Sequence, residues 1–257
     1  MERSLTRRSA LGGMAALTAL PALGADLVRG ETGVVAAVTD GDTFTLRSGT
    51  RVKLASVVTP ARAETWGREA HEGLAGLLRG RVVTLRHGGD RLDRYGRAHA
   101  QVFTVAANGT PDLWVQEEVV RLGLARVFTW PEEVVDAPAL LAMETRARQR
   151  ARGLWSAPGF GVMSPEPNGL AQKVDSLQIV EGVVTATAEV RGRAYLNFGA
   201  DYKTDFTVAI ARKHRKRFAA LDPLSLAGAR VRVRGWVEMI NGPMIWANHP
   251  ERIEVLG

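Results

Sequence analysis

The sequence contains no cysteine among its 257 residues. Disulfides, zinc sites built from thiolates and catalysis by a thiol nucleophile are therefore excluded. The five histidines are scattered without a spacing typical of metal ligands, so we interpret each as structural. Acidic residues are fewer than basic ones, 27 against 34, and the net charge is +7. This excess of positive charge suits a polyanionic partner.

The chain also lacks an apolar run that would span a bilayer stably. The nearest candidate, residues 10–25, is rich in glycine, follows the paired Arg7 and Arg8, and ends in small residues. Paired arginines before a mildly apolar segment are similar to a Tat export signal. We therefore predict that residues 1–25 are an export signal, that no membrane span remains after its removal, and that the protein is periplasmic or secreted. An uncleaved anchor is the alternative.

Residues 31–157 show a pattern of short strands and helices that predicts one folded unit. The predicted strands are Gly33–Val38, Thr43–Arg47, Arg51–Val58, Arg81–His87 and Ala98–Val105. The predicted helices are Arg68–Arg79, Asp112–Leu122 and Pro138–Arg152. Five short strands with about three helices indicate a small closed barrel of the OB type, so the fold class is mainly β with helices.

Four motifs in this unit occur in a recognisable order. They are the turn Thr39-Asp-Gly-Asp-Thr43, the turn Asp93-Arg-Tyr-Gly-Arg97, the stretch Val119–Val127 and the stretch Ala147–Trp155. In this order, residues 31–156 resemble the staphylococcal-nuclease-like (thermonuclease) family. The resemblance implies a calcium ion held by the Asp42 carboxylate and the Thr59 carbonyl. It also implies that Arg97 and Lys53 bind the phosphate, with Lys53 at a position where the family has arginine.

Other positions depart from the family pattern. The second metal carboxylate falls on Val58, and the glutamate that acts on the attacking water falls on Ala61. Calcium prefers six to eight oxygens and usually more than one carboxylate, so the implied calcium site is incomplete. Loss of a general base typically lowers the rate by about 10²–10⁴. Glu64, three residues after Ala61, is the alternative base, and its other interpretation is a solvated loop residue.

A segment rich in proline and glycine, residues 158–175, is predicted to be a linker. After it, residues 176–257 are predicted to form a short helix at Arg212–Ala220 and the strands Leu177–Val184, Arg193–Gly199, Asp205–Ile210, Arg230–Val237, Met244–Ala247 and Arg252–Leu256. These strands indicate a second small OB-like β-barrel. Candidate nucleic-acid contacts in this unit are cationic, and they are Arg212, Lys213, Arg215, Lys216, Arg217, Arg232 and Arg234. Tyr195, Phe198, Trp236 and Trp246 are candidate stacking platforms, and the alternative is that they belong to the core.

These features leave three functional hypotheses. The first is an exported phosphodiesterase that cleaves DNA or RNA weakly or through a rearranged site. The second is a non-catalytic module that binds nucleic acid. The third is an envelope protein whose barrels bind another protein. The resemblance favours a protein of the nuclease family that acts on or binds nucleic acid, and the replaced carboxylates favour weak or lost hydrolysis.

Overall fold

The structure is a computed structural model, and it describes residues 27–256. The predicted export signal at residues 1–25 lies outside the described residues. Within the described range, no helix is both long and apolar enough to cross a membrane. The protein is mainly β-structure with short helices, built around two sheets, as the sequence predicted.

The elements of the first unit are β1 (Val28–Asp40), β2 (Thr43–Leu46), β3 (Arg51–Leu54), β4 (Val57–Val58), α1 (Gly67–Leu78), β5 (Val82–His87), β6 (Ala98–Val105), β7 (Pro111–Trp114), α2 (Val115–Arg121), β8 (Arg126–Val127) and α3 (Ala137–Gln149). Those of the second are α4 (Pro167–Ala171), β9 (Leu177–Val183), β10 (Ala186–Val190), β11 (Arg193–Asn197), β12 (Thr207–Ile210), β13 (Arg230–Ile240), β14 (Gly242–Trp246) and β15 (Ile253–Leu256). Short 3-10 helices lie at Gly153–Ser156, Arg212–Phe218, Pro223–Leu226 and Pro250–Arg252.

The first sheet closes into a barrel. Its strand order is β3-β2-β1-β5-β6-β7, and β3 also pairs with β6 in parallel. The ring therefore runs through β1, β2, β3, β6 and β5, which confirms the predicted closed barrel of the OB type. The parallel pairing sets Lys53 on β3 beside His99 on β6.

Helix α1 covers one side of this barrel. Ala70, Leu74 and Leu78 follow one another at four-residue intervals, and all three are fully buried in the core. Their spacing places them on one face of the helix, so the predicted periodicity is confirmed. Burying a leucine in this way stabilises the fold by about 1.5–3 kcal/mol relative to leaving it exposed.

The second sheet has the strand order β10-β11-β12-β14-β13-β15, and β9 pairs with β13. The pair β12–β14 is parallel, as β3–β6 is in the first sheet. The two sheets thus share one feature that is unusual in small antiparallel barrels. The assignment of the second unit to the OB type stays a prediction.

The predicted linker is ordered against the second sheet. Residues 158–175 contain α4, and Met163 forms backbone hydrogen bonds with Ile179 and Glu181 of β9 at 2.8 and 2.9 Å. The segment therefore packs as part of the second unit, and the division of the chain at residues 158–175 stays a prediction.

Two predicted helices need correction. Residues 112–114 of the predicted helix Asp112–Leu122 belong to strand β7, because Trp114 pairs with Phe103 of β6 and donates from Nε1 to Gln101 Oε1 at 3.0 Å. Helix α2 begins only at Val115. The basic run predicted as a helix from Arg212 to Ala220 forms a 3-10 helix that ends at Phe218.

Candidate nucleic-acid interface

The turn between β1 and β2 places Asp42 inside the barrel mouth. A Cβ on Gly41 would lie 2.7 Å from both the Ala70 Cβ and the Thr59 Oγ1, so only glycine fits at this position. Asp40 Oδ1 accepts from the Gly41 amide at 2.9 Å and stabilises the turn. Asp42 then points inward, and only 5% of its surface is exposed.

The Asp42 carboxylate is fully engaged by neighbouring groups. Its Oδ1 accepts from Thr43 Oγ1 at 3.0 Å, and its Oδ2 accepts from the Thr59 amide at 3.2 Å. Lys53 forms an ion pair with the same Oδ2. The structure thus brings together Asp42, Lys53 and Thr59, three of the residues selected from the sequence.

Arg97 lies on the other side of Thr43. Its Nη1 donates to Thr43 Oγ1 at 3.4 Å, which links Arg97 to the group around Asp42. Its Nε and Nη2 both lie 2.7 Å from Asp93 Oδ2, and Asp93 Oδ1 accepts from the Tyr95 and Arg97 amides. Burial acts to raise the pKa of Asp93, but the hydrogen bonds from Arg97 and Tyr95 outweigh it and lower that pKa. Asp93 therefore braces the arginine, as well as its own turn.

A cleft of about 440 Å³ opens beside these two cations. Tyr95 stands at its edge with 64% of its surface exposed, and the Arg97 guanidinium lies 5.3 Å from the centre of its ring. The other lining residues that matter here are Lys53, His99, Trp130 and Glu133. The cleft thus combines three positive side chains, since Arg94 also lines it, with exposed aromatic rings. Four acids line it as well: Asp90, Asp93, Glu132 and Glu133.

The residues around Asp42 do not fit a calcium ion. Val58 and Ala61 carry no side-chain oxygen, and the carboxylate of Asp42 is already bound to Lys53. Glu64, the alternative acid, accepts from the Ala61 amide at 2.9 Å in its own exposed loop. Over residues 27–256, no group of three or more histidines and acids is arranged to hold a metal. One engaged carboxylate and one carbonyl fall short of calcium's usual donor set.

Two mostly buried titratable residues in the cleft, Glu133 and His99, were not selected from the sequence as site residues. Glu133 is buried with 1% of its side chain exposed, and its Oε1 lies 4.0 Å from His99 Nδ1. Its two carboxylate oxygens make no hydrogen bond of normal geometry within the described chain. Burial raises the pKa of Glu133 to about 7, although the Gly88 and Gly89 amides act to lower it.

The pKa of His99 is lowered to about 4 by burial and, after it, by the charge of Lys53. His99 therefore stays neutral at pH 7. A sequence signal for His99 did exist, because it follows Arg97 by two residues at the start of β6 and so shares its face. Glu133 has no such local signal, since it reaches the cleft from the distant loop before α3.

The structure corrects the assignment of Arg234 and Arg232 as nucleic-acid contacts. Arg234 is fully buried and pairs with Glu144 of α3 at 3.0 Å and with Glu254 of β15. Arg232 pairs with Glu181 at 2.6 Å and with Glu254 at 3.4 Å, and its side chain is mostly covered. Both guanidinium groups are paired with acids of the protein, so neither is available to a ligand at the surface.

The remaining cations of the second unit differ in availability. Arg215 pairs with Glu189 at 3.2 Å, and Arg217 contacts His214 and the Asn248 carbonyl. The other three members of the basic run are exposed and form no ion pair with another described residue: Arg212, Lys213 and Lys216.

The four candidate stacking residues also divide into two groups. Phe198 is buried against Phe206, and Trp236 packs on Phe128 with ring centres 4.8 Å apart. Tyr195 and Trp246 are half-buried and line a second cleft. Trp236 nevertheless has 41% of its surface exposed, so Tyr195, Trp236 and Trp246 are open to a ligand as stacking platforms and Phe198 is not.

Fold and site together define an OB-type barrel with a cleft that holds both basic and acidic side chains. A family model described as staphylococcal nuclease homologue matches residues 51–157, a range that includes Lys53, Thr59 and Arg97. An "Uncharacterized endonuclease" of Escherichia coli is 34% identical over 128 residues, which is 48% of this chain and 76% of that protein. The chain therefore belongs to the staphylococcal nuclease homologue family.

Two further relatives agree with this assignment. A "Micrococcal nuclease" of Shigella flexneri is 30% identical over 132 residues, 49% of this chain and 74% of that protein. A staphylococcal-like nuclease of Arabidopsis thaliana is 32% identical over 108 residues, 42% of this chain and 30% of that protein. Nuclease homology supports a protein that acts on nucleic acid.

Proposed function

We propose that the first barrel binds a nucleic-acid backbone at Lys53 and Arg97, and that calcium-dependent hydrolysis there is slow or absent. The observation that carries the proposal is the ion pair between Lys53 and Asp42. It occupies the acid that the family resemblance assigns to the metal, and Val58 and Ala61 supply no replacement. The cation pair needed for phosphate is retained, while the acids needed for activation of water are not.

The chemistry of the cleft supports binding. Arg97 presents a guanidinium that Asp93 holds in position, and the fork geometry of arginine matches a phosphate. Lys53 contributes a point charge on the neighbouring strand. Tyr95 and Trp130 are exposed at the cleft and offer surfaces for a base.

Hydrolysis and binding are measured separately in the test. Plasmid and single-stranded DNA and RNA are incubated with the protein in calcium or in EDTA, and binding of a labelled oligonucleotide is followed over a salt series. We expect cleavage to be at most weak and no faster in calcium. We expect affinity to fall as salt rises, and the double variant Lys53→Ala/Arg97→Ala to weaken binding.

Rapid calcium-dependent cleavage that Asp42→Ala abolishes would overturn the proposal. Binding that does not respond to salt would also count against it, and would favour the protein-binding hypothesis. A matched control is Arg62→Ala/Arg68→Ala, which removes two exposed arginines that lie outside the cleft.

A conventional nuclease is the second candidate, because all three relatives described above carry the words endonuclease or nuclease in their names. Positions 58 and 61 carry valine and alanine, so under this hypothesis an acid elsewhere in the chain acts on water. The calcium and EDTA comparison distinguishes it from binding alone.

We also propose that the protein is exported through a Tat-like signal at residues 1–25. The paired Arg7 and Arg8 before a mildly apolar segment support this proposal. Replacement of both arginines by lysine is expected to retain the protein in the cytoplasm, and cell fractionation measures the result. Export of the double variant at the normal level would contradict a Tat route.

A further inference from the structure

The second unit has a cleft of its own, about 500 Å³ in volume. It lies on the face of the second sheet that points away from the core. Tyr195, Tyr202 and Trp246 line it together with Asn197 and Met244. Within residues 27–256, none of these three rings packs against another aromatic ring.

Strand register explains why the aromatic residues share this face. Tyr195 on β11 is opposite Ala209 on β12, and Ala209 is opposite Trp246 on β14. Neighbouring strands are about 4.8 Å apart, so the backbones of Tyr195 and Trp246 lie roughly 10 Å from each other across a small residue. The next row, at Asn197, Thr207 and Met244, adds a polar group beside the rings.

Asn197 is suited to contact the edge of a base. Its Oδ1 accepts from Thr207 Oγ1 at 3.2 Å, which fixes the orientation of its amide and leaves the NH₂ group as a donor. The cleft therefore offers flat apolar surfaces and one oriented amide.

Positive charge continues from one end of the cleft. A smaller hollow shares Tyr195 and Arg193 with it and is also lined by Arg191 and Arg212. The Arg212 side chain lies over the β10–β11 turn, where its Cδ is 3.0 Å from the position of a Cβ on Gly192. None of these three arginines forms an ion pair within the part of the chain that the structure describes.

We propose that this cleft binds single-stranded nucleic acid, with a base against Tyr195 and Trp246 and the adjoining phosphates at Arg193 and Arg212. Aromatic rings beside unpaired cations are the combination that single strands require, whereas a duplex hides its base faces. The proposal takes its ligand class from the proposed function, but it uses residues on a different sheet.

Binding of fluorescein-labelled oligothymidylate to the full chain tests the proposal, in EDTA, by fluorescence anisotropy. An oligonucleotide of about 16 nucleotides covers the upper range of site sizes for one OB fold. All cleft variants are made in the Lys53→Ala/Arg97→Ala background, which circular dichroism must first show to be folded, so that the first cleft does not contribute. Tyr195→Ala and Trp246→Ala are each expected to weaken binding roughly 5- to 150-fold.

Matched controls separate stacking from loss of folding. Tyr195→Phe keeps the ring and is expected to bind as the background does. Tyr95→Ala, in the disabled first cleft, is expected to have no further effect. Arg193→Gln and Arg212→Gln are each expected to lower the salt slope by about 0.7, while Arg230→Gln, at a distant ion pair with Glu181, leaves it unchanged.

The outcomes distinguish this proposal from the proposed function. If the background variant loses all binding, the second cleft is not a site, and the first-cleft proposal stands. If the background binds as tightly as the wild type, the first-cleft proposal fails, and Tyr195→Ala and Trp246→Ala decide the second. If those two variants bind as tightly as their background, or if duplex binds as tightly as single strands, this proposal is overturned.

Discussion

Lys53 and Asp42 form a single contact that decides the chemistry available in the first barrel. The ammonium lies against a carboxylate that is buried and already accepts two hydrogen bonds. A calcium ion would have to displace this lysine and would then find no second acid at positions 58 and 61.

Restoring the two acids tests this reasoning. In the double variant Val58→Asp/Ala61→Glu, the new side chains enter the segment that Thr59 joins to Asp42. We expect calcium-dependent cleavage of single-stranded DNA to rise by about 10²-fold or more, the usual contribution of a general base. The initial rate in calcium, less the rate in EDTA, measures the effect.

The control for this variant adds Asp42→Asn, which removes the first acid and should abolish the gain. A rate that stays at the wild-type level, even after Lys53→Arg is added, would mean that loss of the acids is not what limits cleavage.

Glu133 makes the stability of the protein dependent on pH. Its folded pKa is raised to about 7 by burial, from an ordinary value of 4.5. Its contribution to stability is therefore complete below pH 4.5 and is lost as the pH rises through 7. The wild type loses this contribution as the pH rises, whereas Glu133→Gln has no group to titrate. The free energy of unfolding of the variant, relative to the wild type, should therefore rise by about 2–3 kcal/mol from pH 5 to pH 8.

Urea denaturation at pH 5 and pH 8 measures this difference. Glu238→Gln, at an exposed residue of β13 outside the cleft, is the control and should show little change. His99 and His249 have lowered pKa values of about 4 and about 3, chiefly through burial, so their contribution is lost as the pH falls below 6.5. Both histidines are present in the wild type and in Glu133→Gln, so their contributions cancel in the difference between the two proteins. An unchanged difference between pH 5 and pH 8 would contradict the assignment.

At the scale of elements, local patterns identified α1 and failed at β7. The four-residue spacing of Ala70, Leu74 and Leu78 is a local signal, and the structure has the helix within one residue of the predicted bounds at each end. Strand β7 is fixed by Trp114 pairing with Phe103, a contact with another strand that no local period reveals. Strand β10 was missed for a different reason, because alanine and glutamate, which are depleted in strands, fill three of its five positions.

The same distinction applies to the candidate sites. Asp42 and Arg97 lie on local turns with recognisable motifs, so the sequence was sufficient to select them. For Arg234, alternation along β13 defined a face, but it did not show that Glu144 of α3 covers that face. Glu133 was missed because only the folded chain brings it to the cleft.

At the scale of the whole molecule, Arg234 joins the two units. It lies on β13 of the second sheet, and it bonds Glu144 of α3 and the Val127 carbonyl of β8 in the first unit. Around it, Thr129 contacts His249 at 2.8 Å, and Arg252 lies over the ring of Phe128 at 3.2 Å. The contact between the units is therefore polar and specific as well as apolar.

We expect Arg234→Met to destabilise the protein by about 3–5 kcal/mol, because Glu144 is left buried without its partner. Adding Glu144→Leu should recover part of the loss, since the unpaired acid is then removed. Arg230→Met, on the same strand at an exposed ion pair, is the control and should change stability by less than about 1 kcal/mol.

Thermal unfolding followed by circular dichroism measures the stability of all three variants. A single variant as stable as wild type, or a double variant less stable than the single one, would contradict a structural role for this ion pair.

The engagement of Lys53 by Asp42 also bears on how a polyanion arrives at the first cleft. A phosphate at Lys53 meets an ammonium whose charge an internal acid already balances. Binding of the nucleic acid then releases fewer of its condensed counterions than the number of basic side chains in the cleft suggests. The entropy gained from counterion release is correspondingly smaller. The barrel keeps two cations that can bind phosphate, but the internal acid Asp42 lowers the affinity that Lys53 contributes.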